Sequence, residues 1–184
     1  MDRDHDQALV QGCRNGDRAA FATLVTRYQQ PIYNAAYRVL GNADDAADTA
    51  QAVFLKVAEK LHEYDSRYKF FSWLYRIAVN ESLNLLRRNG REEPLDEEMD
   101  FPGPENANPE WQLNEAQLSR RVQGALMRMK ADDRVVLTLR HFSDCSYREI
   151  GHILGLDEKK VKSRLFEARS RLKELLKDLQ GNGT

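Results

Sequence analysis

Four of the chain's five prolines, Pro94, Pro102, Pro104 and Pro109, fall inside one acidic segment, REEPLDEEMDFPGPENANPE. Proline fixes φ and removes a backbone donor, so such a stretch cannot continue a helix or sit in a central strand. Its carboxylates repel one another, and no periodic apolar face survives in it. It therefore reads as an extended linker over residues 91–116, which forces the folded mass into residues 1–90 and 117–184. On both sides the apolar spacing is helical, and β-branched residues never alternate over a useful length. The expected fold is all-α: two small helical domains, an N-terminal helical bundle and a C-terminal helix-turn-helix, joined by the acidic linker.

In the first part, DRAAFATLVTRYQQPIYNAAYRVLG places Phe21, Leu24, Val25, Tyr28, Ile32, Ala35, Ala36, Val39 and Leu40 at helical spacing, broken by Pro31 and closed by Gly41. A second helix over about residues 44–61 gathers Ala47, Ala50, Phe54, Val57, Ala58 and Leu61 on one side. With FFSWLYRIAVNESLNLLRR, residues 70–88, these make a small bundle. The second part predicts helices over about 118–129 and 132–142. Then Ser146 followed by Glu149 forms a capping box that opens a short helix ended by Gly155. Asp157 is placed to cap a long helix carrying eight Lys/Arg between Lys159 and Lys177. Short helix, glycine turn, long basic helix is helix-turn-helix grammar.

Charge is segregated along the chain. Residues 1–90 carry 12 Lys/Arg against 11 Asp/Glu, residues 91–118 carry 1 against 9, and residues 119–184 carry 15 against 9. The basic third part points to a polyanion partner, and the acidic segment to a solvated or regulatory role. No apolar run reaches the roughly 20 residues of a membrane span, and the start, MDRDHDQALVQ, is too acidic and polar for a secretory signal, so a cytoplasmic protein is expected. Cys13 and Cys145 have no metal-ligand or CxxC spacing and read as small hydrophobes rather than redox sensors. Asp44, Asp45 and Asp48 spell DDxxD, but in a first helical turn the helix dipole explains them more cheaply than a metal–diphosphate site. The four histidines are scattered. No catalytic constellation, cofactor or metal site is indicated, and the chain is not expected to be an enzyme.

Helical projection at 100° per residue separates faces within the two most loaded helices. From Val161 as zero, Val161, Leu165, Ala168, Leu172, Leu175, Leu176 and Leu179 form the packed stripe. Lys159, Lys162, Ser163, Phe166, Arg169, Ser170 and Lys173 occupy another face, where burial cannot explain Phe166. Lysine and arginine for phosphates and guanine edges, a small hydroxyl and an apolar group for a thymine methyl suit a major groove. From Arg76 as zero, Phe70, Phe71, Leu74, Tyr75, Ala78, Val79, Leu85 and Leu86 take the core face, while Lys69, Trp73, Arg76, Asn80, Asn84 and Arg87 share a narrow stripe. An indole beside arginines and amides is a platform for unstacked bases, or else a cover for the bundle's edge.

From about Gly16 to Leu176 the chain resembles bacterial RNA polymerase sigma factors of the extracytoplasmic function (ECF) type. DRAAFATLVTRYQQPIYNAAYRVLGN resembles the family's opening helices, DDAADTAQAVFLKVAEKL the polymerase-binding helix, FFSWLYRIAVNESLNLLRR the −10 helix, and SYREIGHILGLDEKKVKSRLFEARSRL the −35 helix-turn-helix. The resemblance implies an alternative sigma factor that binds core RNA polymerase, at its clamp helices and flap, recognises promoter DNA and promotes strand opening. Asp48, Gln51 and Phe54 would contact the polymerase. A loop around Glu63 to Lys69 would capture a flipped −10 base. Lys69, Trp73, Arg76, Asn80, Asn84, Arg87 and Arg88 would line the melted strand. Lys159, Lys160, Lys162, Ser163, Arg164, Phe166 and Arg169 would read the −35 element, and the linker would thread towards the RNA exit path. An anti-sigma factor is an implied partner. Ala47 and Ala52 stand where relatives often have glutamate, and Glu167 where a basic residue is frequent.

Two other arrangements remain open. The first is a stand-alone repressor or activator whose first domain senses a ligand. The other is closure of the two domains on each other or on an inhibitory partner.

Overall fold

The computed structural model describes residues 3–90 and 109–181, and the described residues contain eight α-helices and no strand. They are α1 (Arg3–Arg14), α2 (Arg18–Leu40), α3 (Ala43–Lys60), α4 (Phe70–Arg88), α5 (Pro109–Met127), α6 (Ala131–His141), α7 (Tyr147–Leu154) and α8 (Glu158–Gly181), with a 3₁₀ turn over Leu61–Glu63. Residues 91–108 of the expected linker lie outside the described residues. Residues 109–116, also expected in the linker, form the first turns of α5, which starts at Pro109. Proline suits that position because the first helical N–H groups have no intrahelical partner.

Pro31 does not break the first long helix as expected; α2 runs through it without interruption. One ladder bond is lost, but Tyr28 and Ile32 on either side are fully buried and tie both halves of the helix to one core. The ends follow local chemistry. Asp17 accepts from Ala19 N at 2.8 Å to open α2, and Gly41, at φ 72°, closes it by donating to Tyr37 O. Asn42 accepts from Asp45 N at 2.9 Å to open α3, with Asp44 and Asp45 in the first turn facing the helix dipole.

The opening stretch MDRDHDQALVQ, marked by sequence only as acidic and polar, supplies Arg3 to Gln11 of α1. This helix packs against α2 through Val10 and through Asp6, which is only 3% exposed. Asp6 is satisfied inside: Oδ2 accepts from Tyr28 Oη at 2.5 Å and Oδ1 from Arg27 Nη1 at 2.9 Å. Gly12 lets the two helices approach, since a Cβ there would lie 3.0 Å from Ala20 Cβ.

The capping box of α7 is present in full. Ser146 Oγ accepts from Glu149 N at 3.2 Å, and Glu149 Oε2 accepts from Ser146 N at 2.8 Å. Gly155, at φ 67°, ends the helix, and Asp157 Oδ1 accepts from Lys160 N at 2.7 Å to open α8. Ile150, Ile153, Val161, Leu165 and Ala168 bury the hairpin against α6.

The two halves are closed on each other. α2 packs on α5 and α6, and α4 packs on α6 and α7. Ala35, Val39, Tyr75 and Ala78 meet Val135, Thr138 and Leu139 across this seam. At its edge the Arg38 guanidinium lies 4.4 Å from the Phe142 ring centroid and donates to Gln123 Oε1 and Ser119 Oγ.

Candidate nucleic-acid interface

α4 presents the expected faces with one correction. Phe70, Phe71, Leu74, Tyr75, Ala78, Val79 and Leu86 are buried, whereas Arg76, Asn80, Asn84, Arg87 and Arg88 are exposed in a row. Trp73 does not stand clear of the core. It is half-buried, its ring 5.5 Å from Tyr64 and 5.8 Å from Phe70 between centroids. The periodicity of α4 cannot show this, because Tyr64 comes from the preceding loop. Trp73 is thus both an edge of the core and a ring partly open on the arginine and asparagine side.

Lys69 immediately precedes α4, and its Nζ lies 2.7 Å from Glu149 Oε1 of α7. Beside it the Tyr68 ring stacks on His152, with centroids 4.1 Å apart and planes 15° from parallel. Burial, with the Arg76 charge nearby, holds the His152 imidazole below its ordinary pKa, which favours the neutral stacked ring. In the closed arrangement the start of the α4 stripe is therefore covered by the helix-turn-helix.

On α8, Phe166 is 73% exposed, the most open large hydrophobic side chain among the described residues. Lys159, Lys160, Lys162, Ser163 and Arg169 are exposed as well. Arg164 behaves differently from the other expected contacts: it is half-buried and its Nη1 lies 3.5 Å from Asp132 Oδ2 at the start of α6. At about 300° from Val161 it flanks the packed stripe rather than the open face. Arg169 Nε donates to His141 Nε2 at 3.0 Å, so that nitrogen carries no proton. Burial and the two neighbouring arginines, Arg169 and Arg140, hold His141 below its ordinary value.

The expected polymerase contacts sit on another surface. Gln51 and Phe54 line an apolar groove of about 580 Å³ between α2 and α3, with Phe21, Val25, Tyr33 and Ala47. Asp48 is exposed beside it, and Ala52 is half-buried outside the lining. Leu55, 64% exposed at the groove's edge, went unremarked in the sequence. The signal that exposes Phe166 would have found it: a large apolar residue off the packed stripe.

Neither cysteine is primed for reaction. Burial, then Asp17, pushes the Cys13 thiol up, and burial, then Glu149 and Asp144, raises Cys145 to about 12. Among the described residues no group of three or more His, Cys, Asp and Glu could hold a metal ion, and no helix is long and apolar enough to cross a membrane.

A helical region with an exposed Arg/Asn stripe, followed by a capped helix-turn-helix with a basic face, defines a helical DNA-binding protein of transcription. Family models for Sigma-70 region 2 and Sigma-70 region 4 match residues 24–92 and 119–172. The chain is 32% identical to the ECF RNA polymerase sigma factor SigW of Bacillus subtilis, over 92% of this chain and 96% of that one. It is 33% identical to the ECF RNA polymerase sigma-E factor of Escherichia coli K12, over 89% and 90% respectively. The chain belongs to the ECF family of RNA polymerase sigma factors. Its fold is shared with CnrH, solved with the cytosolic domain of CnrY (TM-score 0.71, 24% identity, 95% of this chain and 98% of that one). It is also shared with the sigma factor RpoE of Bartonella quintana, solved with the anti-sigma factor NepR (TM-score 0.68, 24% identity, 85% and 96%).

Proposed function

We propose that this chain is a cytoplasmic alternative sigma factor with no catalysis of its own. It binds core RNA polymerase, reads −10 and −35 elements and opens the strands. Residues 1–90 bind polymerase and the −10 element, residues 117–184 read the −35 element, and the acidic segment between them threads towards the RNA exit path. The groove of Gln51 and Phe54, with Asp48 at its side, takes the polymerase clamp helices, and the second domain meets the flap. Trp73, Arg76, Asn80, Asn84, Arg87 and Arg88 line the melted strand, and the loop ending at Lys69 captures a flipped base.

The observation that carries the reading is Phe166: an aromatic ring held in solvent, on the basic face of a helix capped for major-groove entry. Lys159, Lys160, Lys162, Ser163 and Arg169 complete that face, while Arg164 serves it from the flank. A ligand-sensing repressor would have no use for a second basic and amide stripe on α4. An anti-sigma factor is the expected inhibitor, since one is the partner named for the Bartonella relative of the same fold.

Run-off transcription with purified core polymerase tests the reading. Promoter-specific transcripts are expected only when the chain is present. Specific duplex binding by the chain alone, with no initiation in any combination, would sink it.

A further inference from the structure

α1 lies N-terminal to residues 24–92, the stretch matched by the region 2 family model, yet its side chains hold the loop on which −10 recognition is proposed to depend. α3 ends at Lys60 and passes into the 3₁₀ turn, where Leu61 O accepts from Tyr64 N at 3.3 Å, and further donors reach the carbonyls of this turn from outside it. Arg14 of α1 supplies them. Its Nη2 donates to Leu61 O at 3.0 Å, His62 O at 3.5 Å and Tyr64 O at 2.5 Å, and its Nε donates to Leu61 O at 3.3 Å. A planar guanidinium can span several carbonyls in this way, and its charge suits the negative end of α3. Five residues beyond Leu61, Gln7 Nε2 donates to Ser66 O at 3.0 Å.

Tyr64 links this clamp to the DNA side. Its ring lies under the Arg14 guanidinium, 5.9 Å away, and against both Phe70 and Trp73. Its hydroxyl donates to Tyr68 O at 2.6 Å, next to Lys69. α1 is itself anchored to α2 by the buried Asp6–Tyr28 pair, with the half-buried Arg27 on the same carboxylate.

We infer that Arg14 and Gln7 are positioning residues for −10 recognition: they fix the turn at Leu61 and His62, the shape of the loop 63–69 that follows it and, through Tyr64, the tilt of Trp73. This rests on the assignment of that loop to −10 capture. The loop has little regular structure of its own, so external donors set where its backbone lies.

The test uses core polymerase with the full chain, on linear templates randomised at both the −35 and −10 elements, with the transcripts sequenced. Arg14→Ala is expected to lower discrimination at the most selective −10 base roughly tenfold, the effect of losing a charge-assisted hydrogen bond, with −35 preferences unchanged. Arg14→Lys, which keeps the charge without the fork, is expected to recover part of it. Should Arg14→Ala fail to fold, Gln7→Ala carries the test with a smaller loss at the same element. Lys69→Ala, at the loop itself, separates the two claims. Altered −10 preference in Lys69→Ala with a wild-type spectrum in the Arg14 and Gln7 variants overturns the positioning role and leaves the loop as reader. Wild-type −10 spectra in all of them overturn both. Equal losses at −10 and −35 in Arg14→Ala would mark general destabilisation and also overturn it.

Discussion

Glu149 uses its two carboxylate oxygens for two different tasks: Oε2 closes the α7 capping box on Ser146 N, and Oε1 pairs with Lys69 Nζ across the seam between the halves. Local helix capping and domain closure thus share one side chain, and substitution can separate them. Glutamine still caps at that position, so Glu149→Gln should keep α7 while losing the charge. An ion pair this exposed contributes about 0.2–1 kcal/mol, enough to shift an open–closed balance without unfolding either half. Small-angle scattering should show a larger radius of gyration for Glu149→Gln with little change in melting temperature. Glu149→Ala should both open the chain and lower the melting temperature, because the cap contributes about 1 kcal/mol.

The same carboxylate gives closure a pH dependence. Burial acts to raise its pKa, but the hydrogen bonds from Lys69 and Ser146 outweigh it, and the net shift is downward. A carboxylate depressed in the folded, closed state contributes fully above its ordinary value, and the contribution is lost as pH falls through the depressed one. Scattering between pH 7 and the acid range should therefore show closure weakening first below about pH 6.5, as His152 at the same seam takes up a proton, and then a distinct opening step below about pH 4.5, the ordinary glutamate region. In Glu149→Gln that step should disappear.

Tyr28→Phe isolates the anchor of α1. The hydroxyl donates to Asp6 in a fully buried site, and burial together with Asp6 pushes the Tyr28 pKa well up. Removing the donor leaves a carboxylate that is 3% exposed with Arg27 as its remaining partner. The expected loss is about 1.5–3 kcal/mol by denaturant unfolding. An unchanged midpoint would mean that Asp6 finds water or another donor.

Gly151→Ala should be the more damaging of the two glycine substitutions in the hairpin. A Cβ there would lie 2.6 Å from Leu156 O, a backbone atom, so α7 and the turn would have to separate. The overpacking cost is about 1–3 kcal/mol. Gly155→Ala meets nothing within 4 Å and carries only the penalty of φ 67°, about 1–2 kcal/mol. Thermal melts should rank them in that order, with weaker −35 binding following the loss of the hairpin.

Features decided within one turn of chain were legible in the sequence: the Ser146–Glu149 box, the Gly41 and Gly155 stops, the Asp157 cap and the exposure of Phe166. Features decided by distant partners were not. Asp6 reads as a solvated acid until Tyr28 and Arg27 close over it. Pro31 reads as a break until Tyr28 and Ile32 are seen to sit in one core. Arg164 reads as one of the open basic residues of α8 until Asp132 is found beside it. Lys69 and Glu149 are 80 residues apart, and no periodicity connects them.

Trp73 combines both kinds of information, and its substitution should show two effects at once. Helical projection puts it with Arg76, Asn80 and Asn84, while the loop residue Tyr64 draws part of its ring into the core. Trp73→Ala should lower stability by about 1–2 kcal/mol, less than the roughly 3–5 kcal/mol of a fully buried aromatic truncation, because half of the ring's contacts are missing already. Trp73→Phe should restore most of that stability. If the open part of the indole stacks on an unpaired base, a role that can contribute roughly 1–3 kcal/mol, the phenylalanine variant should still form open complexes more slowly than wild type on duplex templates. On templates with a pre-opened −10 region that deficit should shrink. Equal rates for Trp73→Phe and wild type on both templates would reduce Trp73 to a packing residue and leave strand capture to the arginines and asparagines.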